Sequence, residues 1–173
     1  MVAAEVSDGE RTPAVFLRDF VDVDQPQQLV SERLATGQSW FGRLASAAGD
    51  DTESHLVRLG LTALGDLDLV TREVRVRMGT PTLLEGGVVV PLRWEDGRRP
   101  NLFPVLDGNL EVASVGPGQS RLILHASYRP PFDGVGRAID RALLHRVAES
   151  TVRSFLRKVA ETLEDWPKDG AGT

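Results

Sequence analysis

Along the first part of the chain, apolar and charged residues nearly alternate from Val15 to Val23, the period-two mark of a strand with one buried face. Asp24-Gln25-Pro26 ends it. From Gln27 to about Ala48 the apolar residues fall at Leu29, Val30, Leu34, Trp40, Phe41 and Leu44. That spacing suits helix, and Gly37 and Gly42 predict one broken helix or two short ones. Gly49-Asp50-Asp51 reads as a loop, and a second strand is expected over His55 to Leu61.

The middle of the chain reads as a ladder of strands. Val70, Val74, Val76 and Met78 alternate with Glu73, Arg75 and Arg77; Val88, Val90, Leu92 and Trp94 oppose Arg93 and Glu95. Leu106, Leu110 and Val112 oppose Asp107, Asn109 and Glu111, and Leu122, Leu124, Ala126 and Tyr128 oppose Arg121, His125 and Arg129. Four strands that share one apolar face predict an antiparallel meander. Asp96-Gly97, Asp107-Gly108 and Gly116-Pro117-Gly118 supply turn or bulge chemistry between them.

After Pro130-Pro131 the period changes. Ile139, Leu143, Val147, Thr151, Phe155, Val159 and Leu163 recur mostly every fourth residue, with Arg and Glu opposite, so one amphipathic helix is predicted over Val135 to Trp166. About thirty residues at ~1.5 Å each make a rod of roughly 45 Å, long enough to lie along a whole curved sheet. Ala138, Ala142, Ala148 and Ser150 permit close approach in its first half, and Phe155 holds the second half further off. The expected architecture is α+β: a curved antiparallel sheet wrapped around a long C-terminal helix, with short helices between the first two strands.

Composition narrows the function. At 173 residues, 41% of them hydrophobic, the chain suits a single domain, expected over 13–166 with flexible tails at 1–12 and 167–173. A net charge of −5 argues against nucleic acid as a partner. No cysteine is present, which excludes disulfides, thiolate metal sites and thiol nucleophiles and fits a cytoplasmic setting. No apolar run approaches the ~18 residues of a membrane span.

Candidate chemistry is sparse. His55, His125 and His145 show no metal-ligand spacing, and alternation turns His125 away from the apolar face. Asp19, Asp22 and Asp24 could suggest a carboxylate pair, but in a strand they do not all share a face. Arg72, Arg75, Arg77 and Arg93 are interleaved with Glu73 and Glu95, which predicts cross-strand ion pairs. Tyr128 is the only tyrosine and sits on the apolar face beside the helix elbow, where its hydroxyl could meet a ligand; the plainer reading is a core aromatic. Trp40, Phe41, Trp94 and Phe103 could line a cavity, with Trp40 and Phe41 at its mouth.

Three local features carry a resemblance: Val90-Pro91-Leu92-Arg93-Trp94, the run from Leu102 to Gly108, and Ser127-Tyr128-Arg129-Pro130-Pro131 entering the helix. With the order of elements from Val15 to Trp166, the chain resembles the helix-grip fold of the START-like, or SRPBCC, superfamily, and in particular its bacterial, actinobacterial members. The resemblance implies a cavity between sheet and terminal helix that holds a small hydrophobic or amphipathic ligand. Its expected lining is Trp40, Phe41, Val76, Met78, Val90, Trp94, Phe103, Leu124, Tyr128, Leu143, Val147, Thr151 and Phe155. No catalytic set of the superfamily can be placed residue by residue, and no metal or cofactor is expected. The alternatives are a polyketide cyclase or aromatase-like enzyme using the same cavity, and an interaction module. For the module, Val89, Pro91 and Ile123 would begin an outward apolar patch for a partner or a homodimer.

Overall fold

A computed structural model of the chain describes residues 13–36, 40, 44, 54–61, 70–96, 105–128 and 141–166; for 54–61, 70–74, 95–96, 141–144 and 147 it describes the backbone alone. The elements are β1 (Val15–Val23), α1 (Gln27–Ala35), β2 (Ser54–Leu61), β3 (Val70–Met78), β4 (Thr82–Leu84), β5 (Gly87–Asp96), β6 (Leu106–Gly116), β7 (Gln119–Tyr128) and α2 (Arg141–Glu164). The strands form one antiparallel sheet in the order β1-β7-β6-β5-β3-β2, with β4 paired to β5. Its two edges, β1 and β2, do not meet, so the sheet is open.

Four of these strands follow the alternation in the sequence, and β3, β5, β6 and β7 are neighbours in the expected meander. Two details differ. Thr82–Leu84 pairs with Gly87–Val89 as a short extra strand, turned at Glu85-Gly86, where Gly86 takes a φ of 88° that a side chain would disfavour. Asp107-Gly108, read as a turn or bulge, instead lies inside β6 and is paired on both sides, with Leu92 and Arg93 of β5 and with Ala126 and Ser127 of β7. The glycine is needed for closeness: a Cβ at position 108 would lie 2.8 Å from the His125 carbonyl oxygen and 3.1 Å from Ala126 Cβ.

Pro91 sits in the middle of β5, where a residue without an N–H should break the ladder. The break is already there. Pairing to β3 stops at Met78↔Leu92 and pairing to β4 resumes at Thr82↔Val89; between them Gly79 N–H donates to the Pro91 carbonyl at 2.8 Å.

The inner face of the sheet forms the core. Val88, Val90, Leu92 and Trp94, then Leu106, Leu110 and Val112, then Leu122, Leu124, Ala126 and Tyr128 are all buried. From α2 they meet Val152, Phe155, Leu156, Val159, Ala160 and Leu163. The helices divide the sheet between them: the α2 backbone comes close to both edge strands, β1 and β2, and to β7, whereas α1 lies against β5, β6 and β7.

α2 also runs in pace with β1. Glu164 Oε1 accepts from the Asp24 N–H at 3.1 Å, and Arg153 Nε contacts Asp19 Oδ2 at 3.2 Å. The steps from Arg153 to Glu164, at about 1.5 Å each, and those from Asp19 to Asp24, at about 3.3 Å each, both cover roughly 16 Å. Carried back, the same pace sets His145 level with Val15.

Candidate functional site

Cross-strand register sets out the inner face of the sheet row by row. Val76, Trp94, Leu106, Tyr128 and Val15 are successive partners across β3, β5, β6, β7 and β1. The next row inward is Met78, Leu92, Gly108, Ala126 and Leu17, and the one after it carries Val90, Leu110, Leu124 and Asp19. The middle of the second row is therefore the smallest part of the inner face: Gly108 and Ala126 lie between the wide row of Trp94 and Tyr128 and the leucines Leu110 and Leu124. Since α2 is carried by the edge strands and β7, side chains bridge from it to the sheet centre. The described bridge is Phe155, wholly buried, whose ring centroid lies 5.3 Å from that of Trp94 at an interplanar angle of 51°.

Tyr128 lies at one end of the inner face. It is 3% exposed, and no hydrogen-bond partner for its hydroxyl occurs among the described residues. Burial first, and then the negative charge of Glu149, push this hydroxyl above its ordinary pKa, so it remains a neutral donor. Glu149 Oε1 lies 3.3 Å from His145 Nε2, one helical turn back, and both side chains are half exposed. Tyr128 pairs with Val15, the residue level with His145, so strand register and helix pace bring all three polar groups to the same end.

The opposite end is locked. The buried Arg33 of α1 donates from Nη1 to the Leu163 carbonyl and to Gln25 Oε1, and its guanidinium lies 5.9 Å from the centre of the Trp166 ring. Gln25 Nε2 donates to the Glu164 carbonyl at 3.3 Å. Those carbonyls are among the last of α2 and lack helical partners, so a buried cation there satisfies them and matches the helix dipole. Gln27 ties the start of α1 to the sheet through the carbonyls of Gly86 and Val112.

The other candidate residues separate. Trp40 is wholly buried, and its indole N–H donates to the Leu34 carbonyl at 3.2 Å. Val76, Val90 and Leu124 are buried on the inner face, Met78 is partly buried against the core, and Thr151 is half buried on α2. Leu143 and Val147 lie on α2 where the backbone alone is described; Phe41 and Phe103 lie outside the described residues. His125 is on the outer face, 3.7 Å from Glu111 Oε2. The three aspartates of β1 and its end go to three different partners: Asp19 to Arg153, Asp22 to Arg121 at 2.6 Å, and Asp24 to Gln119 at 2.9 Å. Arg93 bonds Asp107 of β6 at 2.9 Å, a partner that the strand reading had not assigned to it. Among the described residues no group of three His, Asp or Glu could hold a metal ion, and no helix is long and apolar enough to cross a membrane.

Sequence reasoning missed Glu149 and the placing of His145. Glu149 reads as one of the Arg and Glu residues opposite the apolar stripe, His145 enters only through its lack of metal-ligand spacing, and it is the course of α2 along β1 that brings them toward Tyr128. It also missed Phe16 and Phe20, 79% and 53% exposed on the outer face of β1, where the Arg121 guanidinium lies 4.2 Å from the Phe20 ring centre.

No protein-family model matches the chain, and no curated protein matches it. Solved structures do resemble it in shape. Norcoclaurine synthase from Thalictrum flavum, in complex with dopamine and hydroxybenzaldehyde, superposes with a TM-score of 0.54 at 9% identity, over 100% of this chain and 97% of that one. The Zhui aromatase/cyclase from Streptomyces sp. R1128 gives 0.50 at 16% identity, over 93% and 100%. Human STARD10 gives 0.50 at 11% identity, over 94% of this chain and 68% of that one. Identities this low speak for backbone architecture and not for chemistry. With an open antiparallel sheet holding a long C-terminal helix between its edges, this chain has the helix-grip fold of the START-like, or SRPBCC, superfamily.

Proposed function

We propose that this protein binds a small apolar or amphipathic molecule between the inner face of its sheet and α2, as a carrier or receptor for it. The observation that carries this reading is the way α2 is held. Its close backbone approaches are to the edge strands and β7, and it spans the sheet centre, where Gly108 and Ala126 present the least side chain. A groove lined by aliphatic and aromatic residues, with one polar end, is the usual form of a site for such ligands. Trp94, Phe155, Leu92 and Leu124 would supply the apolar walls and Tyr128 the polar contact. The fold neighbours support it as far as fold can: one is a complex with two small aromatic molecules.

A second reading, an enzyme of the aromatase/cyclase kind, is favoured by one observation: Tyr128 and Glu149 bring a neutral proton donor and a carboxylate to the same end of the groove. Native mass spectrometry, followed by denaturation and extraction, tests the first. A small apolar molecule released in stoichiometric amount supports it. Protein that comes out empty, and that takes up no naphthalene or other small apolar probe afterwards, sinks it. Turnover of an added polyketone would shift the case to the second.

A further inference from the structure

The proposed groove has two unlike ends. At the α1 end the long polar side chains of Arg33 and Gln25 are tied to the last carbonyls of α2, although Ser31 Oγ is buried there without a partner among the described residues. At the other end, the Tyr128 hydroxyl has no protein partner among the described residues. Beside it stands Glu149, whose carboxylate faces His145 at 3.3 Å. A hydroxyl drawn part of the way out of water gains from an acceptor. What kind of acceptor it can take is decided by the carboxylate next to it.

Resting on the binding reading above, we infer that the polar end of the bound molecule is an uncharged oxygen acceptor, a ketone, aldehyde or ester carbonyl, seated on the Tyr128 hydroxyl, and that Glu149 turns carboxylate ligands away. The physical case has three parts. The hydroxyl is positioned to donate into the groove, because β7 alternation puts Tyr128 on the same face as Leu124 and Ala126. It keeps its proton, because burial and Glu149 both oppose the phenolate. An anionic ligand on the same hydroxyl would bring a second negative charge into the field that already raises Tyr128, a repulsion that water beside the half-exposed Glu149 weakens but does not abolish. His145 Nε2 stands 3.3 Å from Glu149 Oε1, and both side chains are half exposed.

The test uses three probes with one ring system: naphthalene, naphthoate, and Prodan, a naphthyl ketone whose emission moves to longer wavelength when its carbonyl accepts a hydrogen bond. Binding is measured by fluorescence and equilibrium dialysis on the full chain, for the natural protein, Tyr128→Phe and Glu149→Gln, with near-ultraviolet circular dichroism to verify packing. The natural protein should bind Prodan better than naphthoate. Tyr128→Phe should weaken Prodan by about five- to tenfold and shift its bound emission to shorter wavelength, the loss of one hydrogen bond. Glu149→Gln should leave Prodan nearly unchanged and strengthen naphthoate by about two- to fivefold. Equal binding of ketone and carboxylate, or naphthoate binding indifferent to Glu149→Gln, overturns the inference. So does Prodan binding and emission indifferent to Tyr128→Phe. If naphthalene binds and the carbonyl confers no advantage, this inference fails and the groove stands; if none of the three binds, the groove reading itself has failed.

Discussion

The two ends of α2 are built for different work. Its C-terminal turns are fixed by a buried arginine, a glutamine and a ring, each reaching a group that would otherwise be unsatisfied. Among its first described side chains His145 and Glu149 are half exposed, and the Tyr128 hydroxyl near them is unpartnered among the described residues. One helix thus has a structural end and an end whose described polar groups are less engaged, with Phe155 reaching from its middle to Trp94 in the Tyr128 row. The lesson is where to look on a fold that carries many functions: among polar groups the fold itself leaves unengaged, and away from those it needs.

The largest expected effect is at the contact between α2 and the Trp94 row. Phe155→Ala removes the described bridge from α2 to the sheet centre and should destabilise the protein by about 3–5 kcal/mol, read from urea unfolding. A loss under about 1 kcal/mol would mean that the space around Trp94 collapses easily or is already open, contrary to a packed contact. Next comes the locked end. Arg33→Met keeps the apolar stem but removes the donors, leaving the Leu163 carbonyl and Gln25 Oε1 unsatisfied, and should cost about 2–3 kcal/mol. Glu149→Gln, at the other end, should stay within about 0.5 kcal/mol, as surface changes do. If the two substitutions cost the same, the contrast between the ends is wrong.

How much of this was open to reading in the chain follows from the range of each interaction. Alternation is local, so β1, the meander and the long amphipathic helix were legible, as was the outward turn of His125. Short β4 was not, because Thr82–Leu84 has no alternation of its own and its three residues are all exposed. Asp107-Gly108 looked like a turn because the pair often is one; whether a glycine turns the chain or lets another strand come close depends on residues some twenty positions away, His125 and Ala126. Gly108→Ala therefore tests a tertiary contact rather than a turn. It should cost about 1–3 kcal/mol, since the carbonyl it meets is backbone and cannot step aside. Of the site, Tyr128 could be singled out from its face and its uniqueness. Glu149 could not, because its relation to Tyr128 exists only once α2 lies along β1.

That relation has the smallest effect on stability and the most direct readout. Tyr128 is the only tyrosine, so phenolate absorbance on alkaline titration reports this group alone. Its midpoint should lie above the ordinary 10.0, and Glu149→Gln should bring it only part of the way back, because burial is the larger cause and the carboxylate the smaller. The sign for stability follows. A hydroxyl whose pKa is raised by folding stays protonated in the native state while the unfolded chain ionises. Its contribution is whole below the unfolded value near 10.0 and is lost as pH rises through the native one. The alkaline fall in stability should thus be shallower in Tyr128→Phe, with no difference between the two proteins near neutral pH. A native midpoint at the ordinary value would place the hydroxyl in water and remove the neutral donor on which the polar end of the groove depends. A midpoint raised equally with and without Glu149 would leave the donor and take away the reason for carboxylates to be refused.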